Sequence, residues 1–309
     1  MDLSVIICTH NRASLLDDCL KSFCNQSDTA GLEWELIVVD NNSTDHTPNT
    51  IQKYSDKLPL KSAFEPVKGH THARNRGLSE ASGELILWTD DDTVVSPIWL
   101  SDYFATARRW PDASFFGGEI EPIFMDQIPE WYPGNEEVFG PAYARNLAAE
   151  TERIIGEYES PWGANFALRK KAIANETFRI DLGRIGEQEG TLGDESEFLD
   201  RIRSKGAVGV WCPRAKVQHQ IPKERATLTY IFNHAVLYGR EKTTRDPSVN
   251  GKPLTRSIWN QWNYLKYLKE IKRTLRGRSA NKQTWAESFQ QTAVKIGELG
   301  KGMNFKIKE

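Results

Sequence analysis

Apolar residues come in short runs separated by polar loops along the first ninety positions. Leu3 to Cys8 is nearly continuous and rich in β-branched residues, which predicts a strand buried on both faces. In A-S-L-L-D-D-C-L-K-S-F, Leu15, Leu16, Cys19, Leu20 and Phe23 fall on one helical face. Glu35 to Val39 predicts a second buried strand ending at Asp40. The polar D-N-N-S-T-D-H-T follows, with Ser43, Thr44 and Asp45 available to cap a helix starting near Thr47 and Pro48. A third strand is expected at Leu60 to Phe64, a helix around Ala73 to Ala81, and a fourth strand at Leu85 to Trp88. Strands alternating with helices predict an α/β fold with a largely parallel sheet. Ligands gather beyond the carboxyl ends of such strands, so Thr9, Asp40 and Asp90 to Asp92 should share one edge.

From 119 to 162 the pattern gives way to Pro, aromatics and acids, the texture of a long, functionally shaped loop region. N-F-A-L-R-K-K-A-I predicts a strand feeding a helix, E-S-E-F-L-D-R-I-R another helix, and Ala207 to Trp211 a strand. Beyond Pro222 the chain reads mainly helical to about residue 275. The expected division is a catalytic domain over 1–222, with halves at 1–118 and 119–222, and a basic, mainly helical extension over 223–309.

At 309 residues and 39% hydrophobic content the chain can bury one large core or two smaller ones. The net charge of −2 is unevenly spread: from residue 251 onward 13 Lys and Arg face 4 Asp and Glu, a balance of +9, leaving −11 before it. The N-terminus lacks the features of a secretory signal, and no run approaches the roughly 18 to 20 apolar residues of a membrane span. A cytoplasmic protein, at most peripheral at the inner face of the membrane, is expected. Cys8, Cys19, Cys24 and Cys212 show no C-x-x-C spacing, which suits reduced, structural thiols.

The sharpest chemical feature is L-I-L-W-T-D-D-D, four large apolar residues running into three carboxylates. A solvated acidic turn is one reading. Yet the preceding residues should be buried, placing the acids where water is scarce, and hard divalent cations prefer carboxylate oxygens. If nothing meets their repulsion, the loop of the ligand-free protein should be mobile.

V-I-I-C-T-H-N-R, L-I-V-V-D-N-N-S-T-D, H-A-R-N-R-G-L, I-L-W-T-D-D-D and L-G-D-E-S-E-F-L-D-R occur in the order and spacing of family 2 glycosyltransferases. The chain resembles that family over roughly residues 2 to 240. The resemblance implies a GT-A fold: a Rossmann-like, mostly parallel central sheet flanked by helices, here with a C-terminal helical extension. It implies a nucleotide-sugar donor, a UDP-sugar first among them, a saccharide or lipid-linked saccharide acceptor, a divalent Mn or Mg ion, and no nucleic-acid partner. Thr9, Arg12, Asp40, Asp90 and Asp91 would lie at the nucleotide, with one of Arg74 and Arg76 facing it. Asp92 would bind the metal, and His219 would complete that site or contact the diphosphate. By position the base is Glu195, where the family more often has Asp, and Asp194 is the fallback. Trp162 suits an acceptor-sugar platform, with Trp131 and Tyr132 further candidates.

Two other classes compete. A nucleotidyltransferase would normally need a Gly- and basic-rich first loop, whereas T-H-N-R-A-S-L-L has one basic residue and no glycine. A catalytically inactive binding module would have no reason to keep both acid sets. The C-terminal W-N-Q-W-N-Y-L-K-Y-L-K-E-I-K-R could pack on the catalytic domain, form a homodimer, or lie on an anionic membrane.

Overall fold

The computed structural model describes residues 1–147, 150–157, 159–185, 189–190, 192–245 and 282–298. The elements are β1 (Leu3–Thr9), α1 (Ala13–Phe23), β2 (Trp34–Asp40), α2 (Thr47–Tyr54), β3 (Leu60–Phe64), α3 (His70–Glu80), β4 (Leu85–Asp90) and β5 (Thr93–Val95). There follow α4 (Trp99–Arg109), β6 (Phe115–Phe124), α5 (Glu136–Phe139), β7 (Arg153–Ile154), β8 (Asn165–Arg169) and α6 (Lys170–Ile173). The last are β9 (Arg184–Ile185), β10 (Glu189–Gly190), α7 (Asp194–Arg203), β11 (Gly209–Ile221), α8 (Leu228–Arg245) and α9 (Lys282–Glu298). The basic segment between α8 and α9, with its membrane and dimer readings, lies outside the described residues.

The main sheet runs β3-β2-β1-β4-β8-β6-β11-β5, with β7 paired to β11. β3, β2, β1 and β4 are mutually parallel; β8 joins β4 antiparallel, and β5 joins β11 antiparallel. The period-two alternation of strand side chains fills two cores from the same runs. Leu3, Val5, Ile7, Leu36, Val38, Leu85 and Leu87 face one way, toward Leu16, Leu20 and Phe23 of α1 and Trp99, Leu100 and Tyr103 of α4. Ile6, Ile37, Val39, Ile86 and Trp88 face the other, toward Ala73 of α3 and Phe198, Leu199 and Ile202 of α7. Being covered on both sides is why these strands read as continuous apolar runs. Each such side chain contributes about 1.5–3 kcal/mol on burial.

Two compact units emerge. The first comprises Met1–Ile123, Ala144–Gly186 and Asp194–Gln220; the second, Phe124–Tyr143, Glu187–Gly193 and Ile221–Glu309. Within the second, Trp131, Tyr132, Phe139 and Tyr143 pack with Phe232 of α8 and Trp285 and Phe289 of α9. Trp131 and Tyr132 are thus core residues there rather than an open sugar platform, because their rings fill the space between short helices. The Pro-rich texture also hides structure: β6 runs on to Phe124 with its last residues half-exposed, and α5 follows. No helix among the described residues is long and apolar enough to cross a membrane.

One buried amide ties the first unit's antiparallel side together. Asn165 is fully buried, accepts hydrogen bonds from Trp99 Nε1 and Tyr103 Oη at 2.8 Å, and donates to Glu119 O at 2.9 Å and Ala215 O at 2.7 Å. Gly118 gives it room, since a Cβ there would lie 2.3 Å from Asn165 Nδ2. Asn165→Ala strands two donors and two acceptors, and should lower unfolding free energy by about 3 kcal/mol or more. Denaturant titration checks this; a loss below about 1 kcal/mol would mean that water replaces the amide.

Candidate active site

The parallel register sets the site's edge. Thr9 of β1 stands level with Asp40 of β2, and Cys8 with Asp90 of β4, so the three strands end together as the alternation implied. The loops beyond them interlock. Asn41 N donates to Thr9 O, and His10 Nδ1 lies 2.8 Å from Asn41 O. Asn11, in the left-handed region at φ 54, accepts from Thr44 N at 2.7 Å through its side-chain oxygen. Asp45 accepts from Ala13 N and from Thr47 N, joining the starts of α1 and α2. Asp40 is buried and accepts from Ser43 N at 2.9 Å. Asn41 in turn accepts from Gly69 N and donates to Glu65 O and Val67 O, fixing the loop that leads into α3. Asn11 and Asn41 were not among the residues that the sequence singles out. Their signal was the Asn-rich polar loops themselves, where side chains replace backbone partners.

Asp91 and Asp92 are almost wholly buried. One nitrogen of Arg12, Nη1, donates to Asp91 Oδ1 at 2.9 Å and to Asp92 Oδ2 at 3.0 Å. The repulsion expected to loosen this turn is therefore met by a cation from the T-H-N-R loop. His219 on β11 brings Nε2 to 3.4 Å from Asp92 Oδ1, and Gln220 N donates to Asp92 O. Burial, reinforced by the charge of Asp92, pushes Asp90 up to about 6. Burial also raises Asp91, with Arg12 opposing. Thr93 Oγ1 donates to Asp90 O at 2.8 Å, shaping the turn between β4 and β5.

Carboxylates and an imidazole are a donor set that Mn²⁺ accepts, so the residue types fit a divalent ion. Among the described residues no three His, Cys, Asp or Glu side chains are spaced to enclose one. Arg12 presently engages two of the acids.

The second acid pair opens α7. Asp194 is buried, whereas the side chain of Glu195 is 20% exposed. Burial and Asp194 push Glu195 up, with Arg74 opposing. Arg74, one of the two candidates for the nucleotide side, is 2% exposed and donates to Asp194 Oδ2 at 2.7 Å. Helix α3 aims this residue inward. Arg76 points outward, donating to Glu80 Oε1 at 3.0 Å and to Phe64 O. Trp162 is half-buried against the first core in the turn before β8. The four cysteines carry no disulfide.

A doubly covered α/β sheet with acids beyond its parallel strand ends defines the class of GT-A glycosyltransferase folds. Residues 4–173 match the family model described as Glycosyl transferase family 2, and the chain belongs to that family. It is 23% identical over 249 residues to the succinoglycan biosynthesis protein ExoM of Rhizobium meliloti (strain 1021), covering 78% of this chain and 75% of ExoM. It is 22% identical over 255 residues to glucosyl-dolichyl phosphate glucuronosyltransferase of Haloferax volcanii, covering 80% of this chain and 78% of that protein. Among solved structures, S. aureus TarS 1-349 in complex with UDP-GlcNAc superposes with a TM-score of 0.58 at 16% identity, over 95% of this chain and 90% of that one. Mannosyltransferase PcManGT from Pyrobaculum calidifontis, in complex with GDP-Man and Mn²⁺, gives 0.54 at 20% identity, over 95% and 86%.

The Arg12 bridge can be measured. Arg12→Gln removes the cation that the two buried carboxylates share and should destabilise the metal-free protein by about 2–4 kcal/mol at pH 7. Adding Asp91→Asn should recover part of that loss, as coupled neighbours do. Strict additivity in the denaturant cycle would show that the bridge carries no energy.

Proposed function

We propose that the protein is an inverting, metal-dependent glycosyltransferase that moves a sugar from a nucleoside-diphosphate donor to an acceptor hydroxyl. The observation that carries this reading is the pairing of two acid sets in one unit: Asp90 to Asp92 beside His219, and Asp194 with Glu195. In the proposed division, residues 1–118 bind the nucleotide and 119–222 the acceptor. Asp40 accepts from the base, Thr9 and Arg76 flank the nucleotide, Arg12 attends the diphosphate, and Asp90 and Asp91 lie on the nucleoside side. Asp92 and His219 would hold the metal. When bound, that ion supplies charge neutralisation for the departing diphosphate. Trp162 would offer its ring to the apolar face of the acceptor sugar.

The chemistry asked of the chain's own groups is a single displacement. Glu195 removes the proton from the acceptor hydroxyl as its oxygen bonds to the anomeric carbon. The bond from that carbon to the phosphate oxygen breaks, and its electron pair leaves with the nucleoside diphosphate. Attack opposite the leaving group inverts the anomeric centre. The raised Glu195 carboxyl suits a base, whose efficiency is best when its pKa approaches the working pH. Relatives named for succinoglycan biosynthesis and for glucuronosyl transfer to a glucosyl-dolichyl phosphate support a saccharide or lipid-linked saccharide acceptor. A UDP-sugar is the first donor to test and GDP-mannose the second, since solved relatives carry both kinds.

The test is a panel of nucleotide sugars with Mn²⁺, Mg²⁺ or chelator, read as nucleoside diphosphate release and as thermal stabilisation. Asp92→Ala should abolish metal-dependent nucleotide binding. Glu195→Gln should lower turnover by about 10²- to 10⁴-fold while binding survives. Equal nucleotide binding in chelator and in Asp92→Ala would overturn the metal assignment, and full activity in Glu195→Gln the base.

A further inference from the structure

Arg74 is the most thoroughly enclosed cation in the acid-bearing unit, and its surroundings define its work. Nη1 donates to Asp194 Oδ2 at 2.7 Å and lies 3.4 Å from Glu195 Oε2, while Nη2 donates to Gly163 O at 3.4 Å. Two rings lie against the guanidinium, its central carbon 5.7 Å from the Phe166 ring centre and 5.3 Å from that of Phe178. Those rings are themselves fixed, Phe166 stacked on Trp88 at 4.8 Å and Phe178 on Phe198 of α7 at 4.2 Å. A buried guanidinium held by two acids, a carbonyl and two fixed rings has little rotameric freedom, so its donors are pre-aimed. Gly163 completes the enclosure, since a Cβ there would lie 2.5 Å from Arg74 Nη2 and 3.3 Å from the Glu195 carboxyl carbon.

We propose that Arg74 is the positioning residue of the catalytic base: it locks Asp194 in the core and thereby sets the place and basicity of Glu195. This rests on the reading of Glu195 as base. A phosphate-binding role would need an open approach, and a side chain 2% exposed and engaged with Asp194 and with Gly163 O has none. The short bond goes to the buried acid and the long one to the half-exposed acid, leaving the Glu195 carboxylate available to take a proton. Among the described residues, the charged and titratable groups that act on Glu195 are Asp194 on its own helix and Arg74 and His70 on α3, with His70 Nδ1 at 3.8 Å from Asp194 Oδ2 and Arg184 and Arg12 acting in turn on His70. Asp90 of β4 is the next charge beyond Arg74, and the turn at Gly163 offers only backbone.

The sign of the expected effect follows. Arg74 favours the ionised form of Glu195 against burial and Asp194, so its removal raises the pH at which the base becomes competent. Transfer is assayed with the nucleotide sugar selected by the panel, as nucleoside diphosphate release across pH, with UDP binding by calorimetry alongside. Arg74→Gln should move the acid limb of kcat upward by about 1–3 pH units, lower kcat at pH 7 about tenfold or more, and leave donor KM and UDP affinity unchanged. Arg74→Lys, which keeps the charge but not the fork, should return the limb toward its original position with kcat only partly restored. Gly163→Ala pushes on the same guanidinium from the turn and should lower kcat at constant donor KM. It carries the test together with Arg74→Lys if thermal unfolding shows that Arg74→Gln does not fold. Weakened UDP binding or raised donor KM with an unmoved acid limb would overturn the proposal in favour of a nucleotide contact. Full activity of Glu195→Gln would instead remove the base reading itself; an inactive Glu195→Gln beside an unmoved limb in the Arg74 variants would remove only the role of Arg74.

Discussion

Carboxylates at the end of a buried strand repel one another and lose most of their hydration, so the fold needs positive charge where the sheet stops. Arg12 answers part of that need by sharing one nitrogen between Asp91 and Asp92. The geometry depends on everything beneath it. β1 and β4 must be in register for the T-H-N-R loop to reach the acids, and the loop must turn back through Asn11 to be held by the segment after β2. The two apolar cores fix the register, because a one-residue slip would exchange the two faces of every strand.

The same solution recurs at the second acid pair. There the cation comes from α3, the acids from the start of α7, and two aromatic rings pack against the cation. Removing one member of such an arrangement leaves an uncompensated charge in poor solvent, which is worse than never having buried it. Both clusters are therefore held by interlocking rather than by any single bond. Asp90, pushed up to about 6, marks where the compensation is least complete. Buried acids kept under electrostatic tension are typical of sites arranged to receive a ligand of opposite charge.

Burial on both faces leaves unbroken apolar runs in β1, β2 and β4, which made most of the parallel half legible; the strands expected at Leu3, Glu35, Leu60 and Leu85 occur there with ends shifted by at most a few residues, although the edge strand β3 is mostly exposed. The antiparallel side was less so. β11 extends from Gly209 to Ile221 although the pattern predicts only Ala207 to Trp211, because C-P-R-A-K-V-Q-H-Q alternates buried and solvent-facing positions and contains a proline. No element is predicted over 93–118, yet α4 buries Trp99, Leu100 and Tyr103 there. At the site, the acids announced themselves by type and clustering. What paired with them did not, since Arg12 meets Asp91 across 79 positions and Arg74 meets Asp194 across 120. The difference in exposure between Asp194 and Glu195, neighbours on one helical turn, likewise lay beyond sequence.

Gly163 shows how tightly the two proposed functions of this region are joined. It lies next to Trp162, the candidate sugar platform, and its missing side chain is what lets Arg74 and Glu195 approach the turn. Asn165 N donates to Trp162 O at 2.9 Å, so the turn is also tied to the amide that anchors the antiparallel strands. A shift of this backbone to suit a different acceptor would move the carbonyl that Arg74 donates to, and with it the acid pair.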